Sequence, residues 1–267
     1  MIKKIIVFTA LIILIMPAVV FAGSGKTSNN ISGRVVMEKV QKESSPKTTH
    51  AAVQLDIIEK NGTQKIRLLE MWMEKDKKGL NRTLIIFRKP SAVKDTRFLI
   101  IQNKGRPDDQ HIYLPALRRV RRISASARNK SFMGTEFTYE DMSTRNTDDD
   151  THTILREENY NGYKCYVIES VPKTKGAYHY SKTVKWVAKD KWIILKVEMY
   201  DTDNKLKKVL TMSGYKKING YWTPYKTTMK NVQSGRSTVL TNLKIEYDKK
   251  LSPKLFTVQF LKRGKLN

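Results

Sequence analysis

Four histidines, a lone cysteine and one Gly-Lys-Thr run are the places where this chain could do chemistry. His50, His111, His152 and His179 are scattered, with no two at the i, i+4 spacing that puts two imidazoles on one helix face, so no metal site is expected. Cys165 has no partner for an internal disulfide. Its place in the apolar run Tyr163–Ile168 marks a buried structural thiol rather than a nucleophile. Gly23-Ser24-Gly25-Lys26-Thr27 ends like a phosphate-binding loop, but Val20 stands where the pattern needs its first Gly. No Gly-x-Ser-x-Gly elbow occurs. Asp148-Asp149-Asp150 lacks the spaced ligands and closing Glu of a calcium loop and reads as a turn. The carboxylates mostly sit beside lysines on alternating segments, a pattern of cross-strand charge pairs rather than an acid–base couple. No enzyme and no cofactor are expected.

The most concentrated chemistry is cationic. Arg118, Arg119, Arg121 and Arg122 crowd the run Leu114 to Ile123, at a strand end or turn. Guanidinium groups fit phosphate and carboxylate in bidentate fashion. Two readings stand equal here: docking of an anionic headgroup or partner, and internal pairing with Glu136, Glu140 and Asp141.

These residues need elements to position them. Lys3-Lys4, an apolar run from Ile5 to Val20 and Val20-Phe21-Ala22 describe a secretory signal peptide spanning 1–22, cut after Ala22. The alternative, a membrane anchor, is disfavoured because the run is shorter than the ~20 residues a spanning helix needs. Residues 23–30 read as a flexible lead-in and 31–267 as one domain, monomeric and periplasmic. The net charge of +26 would suggest nucleic acid in a cytoplasmic protein. An exported one meets lipid headgroups, lipopolysaccharide and cell-wall polymers instead. No nucleic-acid partner is expected, and only peripheral contact with a membrane.

Ser32 is placed to cap a short helix through about Gln41, ended by Pro46. Beyond His50 the period is two: Val53, Leu55 and Ile57 alternate with polar residues, as do Leu69, Met71 and Met73. Further strands follow at 82–87, 98–101, 111–114, from 154, and at 163–168, 184–188, 192–199, 206–212, 225–229 and 239–247. Turns such as Asn61-Gly62 and Asn161-Gly162 join them into an antiparallel meander. Ser124 to Met142 breaks the rhythm and reads as an insert of turns and short helix lying across the sheet. The tail from Ser252 reads as a coil with Leu255, Phe256 and Phe260 packed down. Val53, Leu55, Ile57, Leu69, Met71, Met73, Ile85, Phe87, Val184, Trp186, Ile193, Leu195, Val197 and Met199 could all share one face. A sheet this long curls, and either closes on a packed core or leaves an apolar cavity. Periodicity leaves both open.

The run Tyr113-Leu114-Pro115-Ala116-Leu117-Arg118-Arg119-Val120-Arg121-Arg122-Ile123, with Ser131 to Met142, resembles the signature of exported outer-membrane lipoprotein-sorting proteins, within the superfamily of LolA-like periplasmic carriers. Phe87-Arg88-Lys89-Pro90 with Phe98-Leu99, and the closing Ser252-Pro253-x-x-Phe256-Thr257, fit the same pattern. Asp95 stands where relatives usually carry Gly, and Glu136 replaces the more usual Asp. The resemblance implies a mainly β fold: a curved antiparallel sheet forming a half-open β-barrel, its concave face covered by helices and a loop insert. It implies a carrier that shields the acyl chains of a lipid or lipoprotein on the way to the outer membrane. Its partner would be an inner-membrane exporter or lipoprotein-releasing transporter. A sensor or adaptor subunit binding a protein partner is the other class. Groove and lid would be built from Leu69, Met71, Met73, Phe87, Phe98, Phe132, Met133 and Phe137, with the four arginines docking the anionic headgroup or partner.

Overall fold

The computed structural model describes residues 31–176 and 178–265. The expected leader, its cleavage site and the lead-in lie outside them. Helix α1 (Gly33–Glu43) begins where Ser32 Oγ accepts the Val35 N–H at 3.3 Å, the expected cap. Val36 and Val40, one turn apart, are its buried stripe.

Period-two alternation then gives strands β1 (Thr48–Ile58), β2 (Gln64–Lys75), β3 (Asn81–Lys89), β4 (Arg97–Ile101), β5 (Asp109–Leu114) and β6 (Arg119–Arg122) as one meander. A second comprises β7 (Asp150–Tyr160), β8 (Tyr163–Pro172), β9 (Lys182–Ala188), β10 (Ile193–Tyr200) and β11 (Leu206–Ser213). After the small ribbon β12 (Lys216–Ile218) and β13 (Tyr221–Thr223), strands β14 (Lys226–Asn231) and β15 (Ser237–Tyr247) fill the space between the meanders. β15 pairs with β1 and β14 with β11, so one 13-stranded antiparallel sheet results. It is curved but not closed. Its two free edges are β6 and β7, which follow each other in sequence. Residues 123–149 therefore have to travel from one edge to the other, and they do so over one face of the sheet.

That inner face carries Val53, Leu55 and Ile57 from β1, Leu69 from β2, Ile85 and Phe87 from β3, Phe98 and Ile100 from β4 and Ile112 from β5, all buried. On the other half, α1 lays Val36 and Val40 on Ile168 and Val187. The fit is close: a Cβ on Gly33 would sit 2.7 Å from the His152 carbonyl oxygen. The outer face has two patches of its own. Leu84, Ile86 and Leu99 lie under Phe256, Phe260 and Leu261. The tail expected as coil is a 3-10 turn (Pro253–Phe256) and helix α2 (Val258–Arg263), capped by Thr257 Oγ1.

One expectation about the faces fails. Val184, Trp186, Ile193 and Leu195 do not share a side with Val197 and Met199. They form an outer cluster with Cys165 and Val167, covered by Tyr215 and Trp222. The cause is a bulge in β10: Ile194 pairs with Val187 but Lys196 with Trp186, leaving Leu195 as an extra residue. Each residue beyond it changes face.

Candidate functional site

The insert covers the inner face through two kinds of contact. Its apolar anchor is Phe132, buried with ring centroids 4.9 Å from Phe98, 6.0 Å from Phe87 and 5.6 Å from Tyr139. Burying one such ring is worth roughly 1.5–3 kcal/mol. Leu69, Met71, Phe87, Phe98, Phe132 and Met133 thus meet in one cluster. Met71 and Met133 are only half-buried at its border. Phe137 belongs to a neighbouring cluster with Tyr180, Val197, Met199 and Met229. Met73 is half-buried on β2 and joins neither.

The second kind of contact is polar. A loop crossing an apolar surface exposes backbone groups that need partners, and the sheet's side chains supply them. Arg67 donates to the Met133 carbonyl, Arg236 to that of Gly134 at 3.1 Å, and Gln110 to that of Tyr139 at 2.7 Å. The Thr238 hydroxyl accepts the Glu136 N–H at 2.9 Å. Beneath the insert Lys208, 4% exposed, donates to the Glu136 carbonyl at 2.6 Å and stands 3.6 Å from Asp141. His179 Nδ1 contacts the Glu140 carboxylate, and the Tyr180 hydroxyl donates to Asp141 at 3.3 Å. Burial lowers the Lys208 pKa and raises those of Tyr178 and Tyr180, so both phenols stay neutral donors. Polar cavities of about 420 and 380 Å³ flank this latch, the first reaching Asp108, Arg128 and Arg145, the second Glu136, Asn231 and Arg236.

Sequence reasoning missed Lys208, His179, Tyr180, Thr238 and Arg67. Lys208 did leave a signal: it stands between Leu206 and Leu210 at period two, where an apolar residue belongs.

Arg118 sits in the turn that precedes β6, and the other three arginines lie on that edge strand, where alternation divides them. Arg119 and Arg121 pair across from Leu114 and Ile112 on the inner side, while Arg122 faces outwards beside His111. All four are exposed. Only Arg122 has an ion pair among the described residues, to Asp109 at 2.5 Å. Glu136, Glu140 and Asp141 are engaged by Arg236, His179 and Lys208 instead, which removes the internal-pairing alternative. Arg118 holds a left-handed backbone, φ 49°, at the end of the 3-10 helix Pro115–Leu117. Asp95, at φ 61°, keeps the conformation that a glycine would supply there.

Nothing in this arrangement prepares a nucleophile. Cys165 lies in the outer cluster with its pKa raised by burial, and no cluster of three or more metal-binding side chains occurs among the described residues.

An unclosed antiparallel sheet, roofed by the segment that joins its own two edges, is a half-open barrel. The crystal structure of an outer membrane lipoprotein-sorting protein domain from Vibrio parahaemolyticus has this form: 31% identity, 86% of this chain and 98% of that chain covered, TM-score 0.82. A DUF1329 family protein from Desulfovibrio piger is 29% identical, with 86% and 97% covered and TM-score 0.83. A LolA superfamily protein from Nitrosomonas europaea, 19% identical over 86% and 99% of the two chains, shares the fold at TM-score 0.69. A family described as "Uncharacterized protein" matches residues 79–263. No curated protein matches. The chain belongs to the family of outer-membrane lipoprotein-sorting proteins and shares the fold of a LolA superfamily protein.

Proposed function

We propose that this protein is a periplasmic carrier, exported by the leader at 1–22, whose single domain over 31–267 shields acyl chains of a lipid or lipoprotein on the way to the outer membrane. The observation that carries this reading is the continuous apolar inner face from Val53 to Ile112, covered by a loop and not by strand pairing. Each methylene withdrawn from water contributes ~0.8 kcal/mol, and Phe132 occupies the place where such a chain would lie. Residues 124–142 act as the lid. Displacing Phe132 uncovers Leu69, Phe87 and Phe98, with Met71, Met73, Met133 and Phe137 lining the entrance. Methionine suits such an edge because its thioether is flexible and polarizable. Arg118, Arg119 and Arg121 hold the anionic headgroup or an acidic face of a membrane transporter. The reading includes no catalysis.

Lipid extraction and mass spectrometry of protein isolated from its periplasm test the cargo. Met71→Trp tests the place: it should weaken fluorescent fatty-acid binding with the circular dichroism spectrum unchanged. Wild type without bound lipid and without fatty-acid affinity, with Met71→Trp losing roughly 1–3 kcal/mol by overpacking, would mark a closed core and end the carrier reading.

A further inference from the structure

On the opposite face of the sheet from the proposed groove, beside the C-terminal end of α2, lies a pocket of about 450 Å³, within the size range of small-molecule sites. Its floor is apolar: Ile86 and Phe260 are buried there, with Leu255 and Trp72 at the sides. The indole is held in place, stacked on His50 at 4.9 Å and 9°.

Its rim is cationic. Arg88 is answered by Glu70 at 2.5 Å. Arg97 has no carboxylate within ion-pair distance among the described residues, and Asp95 acts on it only from farther away. Its Nη1 donates to the carbonyls of Leu261 at 2.5 Å and Lys262 at 3.2 Å, and its plane lies over Tyr113 at 4.4 Å. Nε and Nη2 have no protein acceptor among the described residues. Burial lowers its pKa, as for a cation without full compensation. Lys265 also lines the pocket with no ion pair among the described residues, and Asp95 is the one carboxylate among the described lining residues. Arg97 and Lys265 against Asp95 leave one positive charge over an apolar floor.

We propose that this pocket binds a single-chain amphiphilic monoanion, with a carboxylate on the Arg97 fork and the first carbons of its chain against Trp72, Leu255 and Phe260. The guanidinium supplies two parallel donors to a carboxylate. The fixed indole and Phe260 ring supply flat apolar contact. Because the site and the proposed groove lie on opposite faces, either can exist without the other.

The test is an NMR titration of the whole protein with octanoate, and with 1-octanol as uncharged control, following the Trp72 indole N–H and the Gly264 amide. Octanoate should shift both saturably and bind at least about tenfold more tightly than octanol. Leu255→Trp, which fills the pocket, should abolish those shifts while leaving fatty-acid binding at Met71 unchanged. Arg97→Gln should erase the preference for octanoate over octanol. If that variant loses α2 and unfolds, Leu255→Trp still decides the matter. Shifts confined to inner-face residues, or equal binding of acid and alcohol, would overturn the proposal. So would Trp72 and Gly264 responding only to phosphatidylglycerol vesicles, since that outcome assigns the pocket to a bilayer headgroup.

Discussion

Lys208 and Asp141 face each other under the insert, 3.6 Å apart, with side chains 5% and 4% exposed. Removing one partner of a buried pair leaves the other uncompensated, at a cost of about 3–5 kcal/mol. Lys208→Met should therefore destabilise by that order in urea unfolding, and adding Asp141→Asn should recover part of the loss. Additive effects in the double mutant would show that the two are not coupled.

Phe132→Ala should cost about 3–5 kcal/mol as a buried aromatic truncation. It should also raise binding of an environment-sensitive apolar dye, because the ring is the insert's fully buried anchor on Phe87 and Phe98. A stability loss with unchanged dye binding would mean that the insert stays seated on the sheet without it.

The arginines should separate into two behaviours. Arg118→Gly should stabilise by about 1 kcal/mol, since an L-residue in the left-handed region costs roughly 1–2 kcal/mol, yet weaken binding to anionic vesicles. Arg119→Gln with Arg121→Gln should lower vesicle binding and flatten its salt dependence with little change in Tm. Arg122→Gln should act on stability instead. Asp109 is held well below the usual carboxylate range by Arg106 first, then by Asn103 and Arg122. A depressed carboxylate contributes stability above its unfolded pKa, near 4, that is lost as pH falls. The variant should show a smaller loss between pH 4 and 2 than wild type.

Lys185 lies on the inner side of β9 with its ammonium 2.7 Å from Ser170 Oγ, and burial pushes its pKa down to about 8. Below pH 8 both folded and unfolded chains carry the charge, and the folded one bears the desolvation cost. Between pH 8 and 10.5 only the unfolded chain holds the proton, so stability rises with pH. Lys185→Met should thus be more stable at pH 7 by on the order of 1–3 kcal/mol, with the difference shrinking by pH 10. Parallel unfolding curves at the two pH values check this.

Much of the sheet was legible because period two persists through Val53–Ile57 and Leu69–Met73, and because Asn-Gly pairs fix the hairpins. What escaped was set by events that leave periodicity intact. A single extra residue at Leu195 reverses the faces of β10 with no change in composition. β6 hid because three of its four residues are Arg. Helix α2 is six residues long, too short for an amphipathic period to emerge from Thr257–Arg263. In the site, Phe132, Phe87 and Phe98 were legible as apolar groups, whereas the partners of Glu136, Glu140 and Asp141 were not. Those partners arrive from the β8–β9 connection, β11 and the β14–β15 turn, whose proximity to the insert depends on the strand order.

An open sheet ends in unpaired N–H and C=O groups, and the edge at β6 presents Arg119, Arg121 and Arg122 alternately above and below that row. A second copy adding its own β6 would bring like charges face to face, which opposes edge-to-edge polymerisation. A sheet left open on one side can thus keep a free edge without that edge recruiting further copies.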